Sequence, residues 1–371
     1  MISHSTREII ERYNPRASLA EAATPPAEWY LDPRVLEVER QTVFARSWQM
    51  VGRAAQVAEC GRYITAEAAG EPVVVVRGAD HILRGFFNVC RHHAAAVATE
   101  SAGSCQILRC PYHGWTYNLS GELIGTPDFT GVSGFDRADY GLVSLDTALW
   151  ENWIFVNIEP AGLPLDAFLG DDLRQRVRAM GLENLHWIER RHYTLECNWK
   201  VFVDNYLDGG YHVPHVHSAL HSVLDFANYS IENGARCCLQ STPMARTGAD
   251  ARTSEVRRGA RAFYYWIYPN FMVNCYEGMM DTNLVCPRGV DRTEVIFDYY
   301  FADVSAQQQE HNRNSIAVSE RIQDEDAAIC NAVQRGLRSR AYGAGRLSVR
   351  REAGEHLFHR LLYADLKTAA E

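Results

Sequence analysis

The spacing of apolar and polar positions changes several times along the chain, and the changes outline two kinds of structure. Asp32 followed by Pro33 marks a helix start, because the aspartate can cap the first free amides and proline fits the first helical position. Val35 and Val38 then lie three apart and Leu36 and Val43 seven apart, as on one helix face. From about Trp48 to Glu159 the apolar residues come instead in short runs (72–76, 82–88, 106–108 and 153–158), separated by glycines and polar turns. That pattern predicts a small all-β unit.

Residues 163–185 return to a helix-and-loop pattern. In 198–207 the apolar Trp199, Phe202, Val203, Tyr206 and Leu207 share one helical face, and Gly209-Gly210 ends it. Residues 262–273, 282–286 and 294–301 are rich in β-branched and aromatic types and predict an antiparallel sheet, with Pro287-Arg288-Gly289 as a turn. Residues 305–337 predict a long helix with Ile316, Ile322, Ile329 and Val333 among its apolar positions. The expected organisation is an N-terminal helical segment (1–44) packing on a C-terminal domain (160–371, starting near Pro160), with the β-rich domain (45–159) between them. There is no internal repeat.

With 371 residues, 37 Lys+Arg against 46 Asp+Glu (net −9) and 47% hydrophobic residues, the chain can bury a large core. The acidic balance and the lack of a basic run argue against nucleic acid and anionic membranes as partners, and no apolar stretch reaches the about 20 residues of a membrane helix. The N-terminal MISHSTREIIERYNP has no secretory core, so a cytoplasmic location is expected. Ten irregularly spaced cysteines do not suggest a disulfide framework.

Two constellations carry chemistry. The first is Cys90-x-His92 and Cys110-x-x-His113, two thiolates and two imidazoles on separate loops. Such a set suits tetrahedral zinc or a Rieske [2Fe–2S] cluster, and the spacing alone does not separate them. The second follows the 198–207 helix: Asp204, Asn205, Tyr206 and Asp208, then Tyr211, His212, His215 and His217. One carboxylate of Gln323-Asp324-Glu325-Asp326 could complete a 2-His-1-carboxylate triad, which leaves positions open on Fe(II) for O₂.

The segments CPYHGWTYNLSGEL, NWKVFVDNYLDGGYHVPHVH, YPNFMVN with MDTNLV, and EDAAICNAVQRGL resemble the catalytic subunit of the Rieske non-haem iron oxygenases over nearly the whole chain, most closely the choline monooxygenase branch. The resemblance implies an α+β protein: an all-β Rieske domain plus a helix-grip-like catalytic domain whose antiparallel sheet is flanked by helices. It assigns Cys90, His92, Cys110 and His113, with Trp115 beside them, to the cluster, and His212, His217 and Asp326 to the iron. His215 is passed over because the family reads His-x₄-His. Asp324 and Glu325 are passed over because Asp326 alone fits Glu-Asp-x₇-Gln, ending at Gln334.

Two departures stand out. The first loop has His93-Ala94 where the family has Arg-Gly, and Gly209 stands where most members carry the acid that bridges to a neighbouring subunit. Asp208, or more distantly Asp204, is the substitute, and these two with Asn205 are the candidate catalytic residues.

The resemblance further implies a homotrimer, a separate flavin/iron–sulfur reductase passing electrons from NAD(P)H, and O₂ as co-substrate. The substrate would be a small quaternary ammonium compound such as choline, glycine betaine or a carnitine-like molecule. A trimethylammonium group is held by aromatic faces and a carboxylate. Tyr206, Tyr211, Trp266, Tyr268, Phe271 and Glu277 are the candidates. An aromatic ring-hydroxylating dioxygenase and a Rieske electron-transfer protein are the rival readings.

Overall fold

The computed structural model describes residues 5–159, 162–245 and 250–368. Helices α1 (Thr6–Glu11), α2 (Glu28–Leu31) and α3 (Pro33–Glu39) come first. Asp32 caps α3 as its sequence demands, accepting a hydrogen bond from the Arg34 amide at 2.9 Å, and Val35 and Leu36 are buried. The chain then forms two compact units, Phe44–Phe168 and Met1–Val43 with Leu169–Glu371. The sequence places the boundary near Pro160, which lies outside the described residues. Short of Phe168 the chain still binds the β-rich unit: the Trp48 indole donates to the Leu163 carbonyl at 2.8 Å.

The β-rich unit contains β1 (Gln49–Arg53), β2 (Arg62–Ala68), β3 (Glu71–Arg77), β4 (Leu83–Phe87), β5 (Ala102–Ser104), β6 (Leu108–Arg109), β7 (Thr116–Tyr117), β8 (Leu123–Gly125), β9 (Ser144–Trp150) and β10 (Trp153–Asn157). Seven of them form one antiparallel sheet in the order β1-β10-β9-β4-β3-β2-β5, and β6-β7-β8 form a second. The run of valines in β3 is buried on both faces. Val74 and Val76 pack with Phe86, Cys90, Trp115 and Tyr117, whereas Val73 and Val75 pack with Ile64, Ile154 and Val156. This is the period-two alternation of a strand covered on both sides.

After α4 (Leu165–Leu169) and α5 (Asp171–Ala179), the second unit runs β11 (His186–Leu195), α6 (Trp199–Leu207), α7 (Val213–Val216), α8 (Ser218–Val223), β12 (Ser230–Asn233), β13 (Cys237–Pro243) and α9 (Ala251–Val256). It continues with β14 (Arg261–Ile267), β15 (Phe271–Tyr276), β16 (Met279–Gly289), β17 (Arg292–Phe301), α10 (Gln309–Leu337) and α11 (Ala353–Lys367). The antiparallel sheet has the order β11-β17-β16-β15-β14-β13-β12, and α6 packs on it with α10 and α11 against α6. Lys200 of α6 and Glu39 of α3 form a fully buried pair at 2.6 Å, tying the N-terminal helices to this unit. Losing one partner of such a pair costs about 3–5 kcal/mol.

Three details differ from the sequence reading. Residues 262–273 are not one strand but the hairpin β14–β15, broken at Pro269, which has no amide to give to a ladder. The turn expected at Pro287-Arg288-Gly289 lies further on. β16 continues to Gly289, which pairs with Arg292, and a register shift between Pro287 and Gly289 absorbs the proline. On α10 the buried residues mix polar (Asn312, Ser315, Ser319, Gln323, Gln334) with apolar (Ile316, Val318, Cys330, Leu337), while Ile329 and Val333 are exposed.

Candidate metal centres and substrate cavity

In the β-rich unit the two Cys/His loops are built alike. The Cys90 amide donates to the Ala95 carbonyl and the Ala94 amide to Cys90, both within 3.0 Å; the Cys110 amide donates to Trp115 and the Gly114 amide to Cys110. Ala94 (φ 61°) and Gly114 (φ 73°) occupy the same left-handed position, so alanine here does what glycine does in the other loop.

Both thiols are buried, and the Tyr117 hydroxyl lies 3.4 Å from the Cys90 sulfur. Burial, with Cys90 as hydrogen-bond neighbour, pushes the Cys110 thiol up. The His92 and His113 rings are 4.8 Å apart, and His92 stacks on Trp115 at 4.7 Å. Burial, then the neighbouring His93 and His113, holds the His92 pKa down, which keeps the ring neutral as a metal ligand must be. Its Nδ1 is buried without a partner. A paired set of thiols and a paired set of imidazoles fits a [2Fe–2S] cluster, with thiolates on one iron and imidazoles on the other.

In the second unit, α6 ends at Leu207 and the chain turns through Gly209 (φ 67°) and Gly210 (φ 68°). This turn aims the Asp208 carboxylate back at the next loop, where it accepts from the amides of Tyr211 (3.0 Å) and His212 (2.9 Å) and lies 2.7 Å from His212 Nδ1. A Cβ on Gly209 would run into the Arg351 carbonyl oxygen. The missing acid at this position therefore has a steric reason.

His212, His217 and Asp326 converge, with one donor atom from each within 4.8 Å of the others. Asp326 Oδ1 lies 3.0 Å from His217 Nε2 and 3.6 Å from His212 Nε2, and accepts from Asn205 Nδ2 at 2.7 Å. Each imidazole is held from behind, His212 by Asp208 and His217 by Glu325 at 2.6 Å. A carboxylate only accepts, so each Nδ1 carries a proton, and with a metal bound each Nε2 would offer its lone pair to the shared point. Burial lowers the His217 pKa, but hydrogen bonds to Asp326 and Glu325 outweigh it and the net shift is upward. The donor set fits a mononuclear Fe(II). His215 and Asp324 are exposed and stand outside the cluster.

A small cavity of about 110 Å³ opens beside these donors, lined by Tyr206, Tyr229, Tyr264 and Tyr276 among others. Its floor is one register line across the sheet: Gln240 pairs with Tyr264, Tyr264 with Asn274, and Asn274 with Asp281. The Tyr206 hydroxyl donates to Asn274 Oδ1 at 2.8 Å, and Asn274 Nδ2 donates to Asp281 at 2.7 Å. Burial raises the pKa of all four phenols, so they stay neutral; burial also raises Asp281, against the pull of Arg257.

Residues 182–367 match the ring hydroxylating alpha subunit (catalytic domain) family, and residues 47–136 match the Rieske [2Fe-2S] domain. The chain belongs to the Rieske non-haem iron oxygenases. Curated relatives of this oxygenase include the chloroplastic choline monooxygenase of Arabidopsis thaliana, 37% identical over 97% of this chain and 87% of the relative. The carnitine monooxygenase oxygenase subunit of Escherichia coli (strain K12) is 29% identical over 89% of both. A quaternary ammonium Rieske monooxygenase in complex with L-carnitine superimposes with a TM-score of 0.81 at 26% identity, over 99% of both chains. Naphthalene 1,2-dioxygenase from Rhodococcus sp., with a TM-score of 0.80 at 19% identity over the whole of both chains, shows the shared fold. Membership implies a Rieske [2Fe–2S] cluster and a non-haem iron as resident metals.

The aromatic candidates of this oxygenase divide sharply. Tyr206 lines the cavity, whereas Tyr211 is 50% exposed and is not part of its lining. Trp266 shares a sheet face with Tyr264 but lies two residues further along, beneath Phe358 of α11 at 5.5 Å. Tyr268 is buried with its hydroxyl on Asp365, Phe271 is buried in the core, and Glu277 is exposed at the β15–β16 turn. None of these four reaches the cavity, because strand position as well as residue type decides what faces the metal. Tyr264 lies inside the β-branched and aromatic run 262–273 and Tyr276 three residues beyond it, and strand alternation was the signal that could have picked them. Tyr229, Asp281, Arg257 and Gln323 carried no such signal.

Asp204 faces away from the cavity, accepting from Tyr30 at 2.7 Å and lying 2.9 Å from His359 Nε2 in a second buried group with Glu355. Among the described residues, no helix is long and apolar enough to cross a membrane.

Proposed function

We propose that this chain is the oxygenase component of a Rieske monooxygenase that hydroxylates or N-demethylates a small quaternary ammonium compound, such as choline, glycine betaine or a carnitine-like molecule. One observation carries the reading: four neutral tyrosines and the buried Asp281 line a small cavity that opens directly on the two-histidine, one-carboxylate cluster. Aromatic faces and a carboxylate are what a cation without hydrogen-bond donors requires. An aromatic hydrocarbon would leave Asp281 and its amide neighbours facing apolar surface, a costly arrangement. The choline and carnitine monooxygenases among the relatives point the same way.

In this reading His212, His217 and Asp326 hold the iron, and Cys90, His92, Cys110 and His113 hold the cluster, with Trp115 stacked on His92. When bound, the iron supplies the open position at which O₂ is reduced by electrons arriving through the cluster. The tyrosines hold the ammonium head, Asn205 orients Asp326, and Asp208 and Glu325 fix the histidine tautomers. One oxygen atom enters the C–H bond and the other leaves as water, with two electrons from NAD(P)H passed on by a separate flavin/iron–sulfur reductase and two protons, one released from NAD(P)H and one taken from solution. At an N-methyl group the product is a carbinolamine, which releases formaldehyde to complete N-demethylation. At the hydroxymethylene carbon of choline it is an aldehyde hydrate.

The proposal extends to a homotrimer in which Asp208, with Asp204 as the more distant acid, links one subunit's cluster to the next subunit's iron. It assigns 45–159 to the Rieske domain, 160–371 to the catalytic domain and 1–44 to a helical segment packed on the latter. It also includes a cytoplasmic location, which suits ten free cysteines.

The test is an anaerobic iron and sulfide count with visible and EPR spectra, then single-turnover O₂ consumption with choline, glycine betaine and carnitine. Three irons and two sulfides per chain, with turnover of one of these compounds, are expected. His212→Ala should lose one iron and all turnover while the cluster spectrum persists. Loss of the cluster signal in the same variant would count against separate sites.

A further inference from the structure

We propose that Arg257 and Gln323 read a carboxylate on the substrate, so that the compound bound in this cavity is a betaine, with a trimethylammonium and a carboxylate in one small molecule. This rests on the quaternary ammonium reading and adds the other end of the ligand.

Arg257 follows α9 directly and is 3% exposed. Its guanidinium lines the cavity, where it donates to the hydroxyls of Ser315 and Ser319 on α10, each at 2.6 Å, and to the Ser315 carbonyl at 3.3 Å. Its Cζ lies 4.8 Å from the centre of the Tyr276 ring. No carboxylate of the described residues forms an ion pair with it, and its Nε has no hydrogen-bond partner. The acid that faces it is Asp281, reached through Ser319, whose hydroxyl lies 3.4 Å from Asp281 Oδ2. Serine keeps the two charges apart. The wall thus carries a cationic group and an anionic group at separate places instead of a collapsed pair.

Gln323 supplies the second observation. It is 1% exposed and lines the same cavity, yet neither its amide oxygen nor its amide nitrogen has a partner. It stands four residues after Ser319 and three before Asp326, on the helix face that brings Ser319 and Asp326 to the cavity. A buried amide left unpaired and a buried guanidinium with no direct counter-ion both carry a free-energy penalty that an incoming ligand can relieve.

A ligand carboxylate accepts from both groups, while the trimethylammonium end takes the tyrosine faces and Asp281. Choline meets only the second half. Its hydroxyl can pair with Gln323 but brings no charge to Arg257. The cavity is therefore complementary to a zwitterion, and charge-assisted pairing at the carboxylate is the stronger discriminating contact.

The deciding experiment is anaerobic titration calorimetry of the iron-loaded enzyme with glycine betaine, carnitine, choline and 3,3-dimethylbutanoate, which keeps the carboxylate and replaces the ammonium by a neutral tert-butyl group. At least one betaine should bind about tenfold or more tightly than choline. Arg257→Gln should weaken that betaine about tenfold more than it weakens choline, and Gln323→Leu should do the same to a smaller extent. If Arg257→Gln fails to fold, the wild-type comparison and Gln323→Leu decide. Choline binding as tightly as the betaines, or equal loss for both in the variants, would overturn the carboxylate reading and leave the quaternary ammonium reading standing. Binding of 3,3-dimethylbutanoate with no binding of any trimethylammonium compound would overturn both.

Discussion

Glu325 Oε2 lies 2.6 Å from Nδ1 of His217, on the ring edge opposite the 3.0 Å contact between His217 Nε2 and Asp326. Two adjacent acids of α10 thus grip one imidazole from both sides, one in the donor cluster and one behind it. A carboxylate behind a ligating histidine fixes its tautomer and raises its basicity, and losing such a partner typically costs about 10–100-fold in metal affinity. Glu325→Ala should weaken mononuclear iron binding by that factor while leaving the cluster absorbance unchanged. Iron titration of the apo-protein monitored by activity and metal analysis checks this, and unaltered retention would show Glu325 to be a bystander.

Restoring the acid that most family members carry at position 209 should harm this chain. Gly209 has φ 67°, and a side chain there meets the Arg351 carbonyl and Ile231. The left-handed conformation alone costs a non-glycine residue about 1–2 kcal/mol. Gly209→Asp is expected to lower the unfolding free energy from equilibrium denaturation by at least that much, with less activity rather than more. A stable variant with faster electron transfer would refute the steric account.

The first cluster loop presents the opposite case. Ala94 sits at φ 61° where the second loop uses Gly114, with the same amide-to-cysteine hydrogen bond. Ala94→Gly removes the strain but frees the unfolded chain, so a net gain of about 0.5–1 kcal/mol is expected. Equilibrium denaturation of the two proteins measures it; a loss of stability would mean that the Ala94 methyl contributes packing that outweighs the backbone.

Glu355 should make stability depend on pH. Burial first, then the facing carboxylates of Asp204, Glu352 and Asp208, raise its pKa well above the ordinary value, and His359 lies 3.7 Å away. Between the ordinary glutamate pKa of about 4.3 and the raised folded value, the folded chain holds a proton that the unfolded chain has released. Its contribution is therefore fully present below that window and is lost as the pH rises through it. Glu355→Gln keeps the neutral shape and should flatten the fall of melting temperature as the pH rises above about 4.3. Parallel curves for the two proteins would show that the carboxyl is ionised in the fold.

The sequence by itself determined much of this protein. Local rules were enough for the Asp32 cap, a strand at 72–76 and the α6 helix ended by two glycines, and the family resemblance named the donors that converge. Cys90 and Cys110 with their histidines, and His212 with His217, lie close in sequence, so motif spacing already placed them together. The sequence could also name Asp326, through resemblance, although 109 positions separate it from His217.

What only the tertiary structure decided is which side chains face the metal and the substrate. Trp266 and Tyr264 share a strand and a face, yet one lies under α11 and the other lines the cavity, because that outcome depends on what packs above each position. On α10 hydrophobic periodicity expected Ile316, Ile329 and Val333 inside, but only Ile316 is buried, and Ser319 and Gln323 line the cavity, since a helix that lines a site places hydrogen-bonding groups at inward positions. Asp281 and Arg257 meet the same cavity from a strand and a loop through pairing across the sheet and packing on α10. Those contacts are non-local, and a pattern read along the chain holds no record of them.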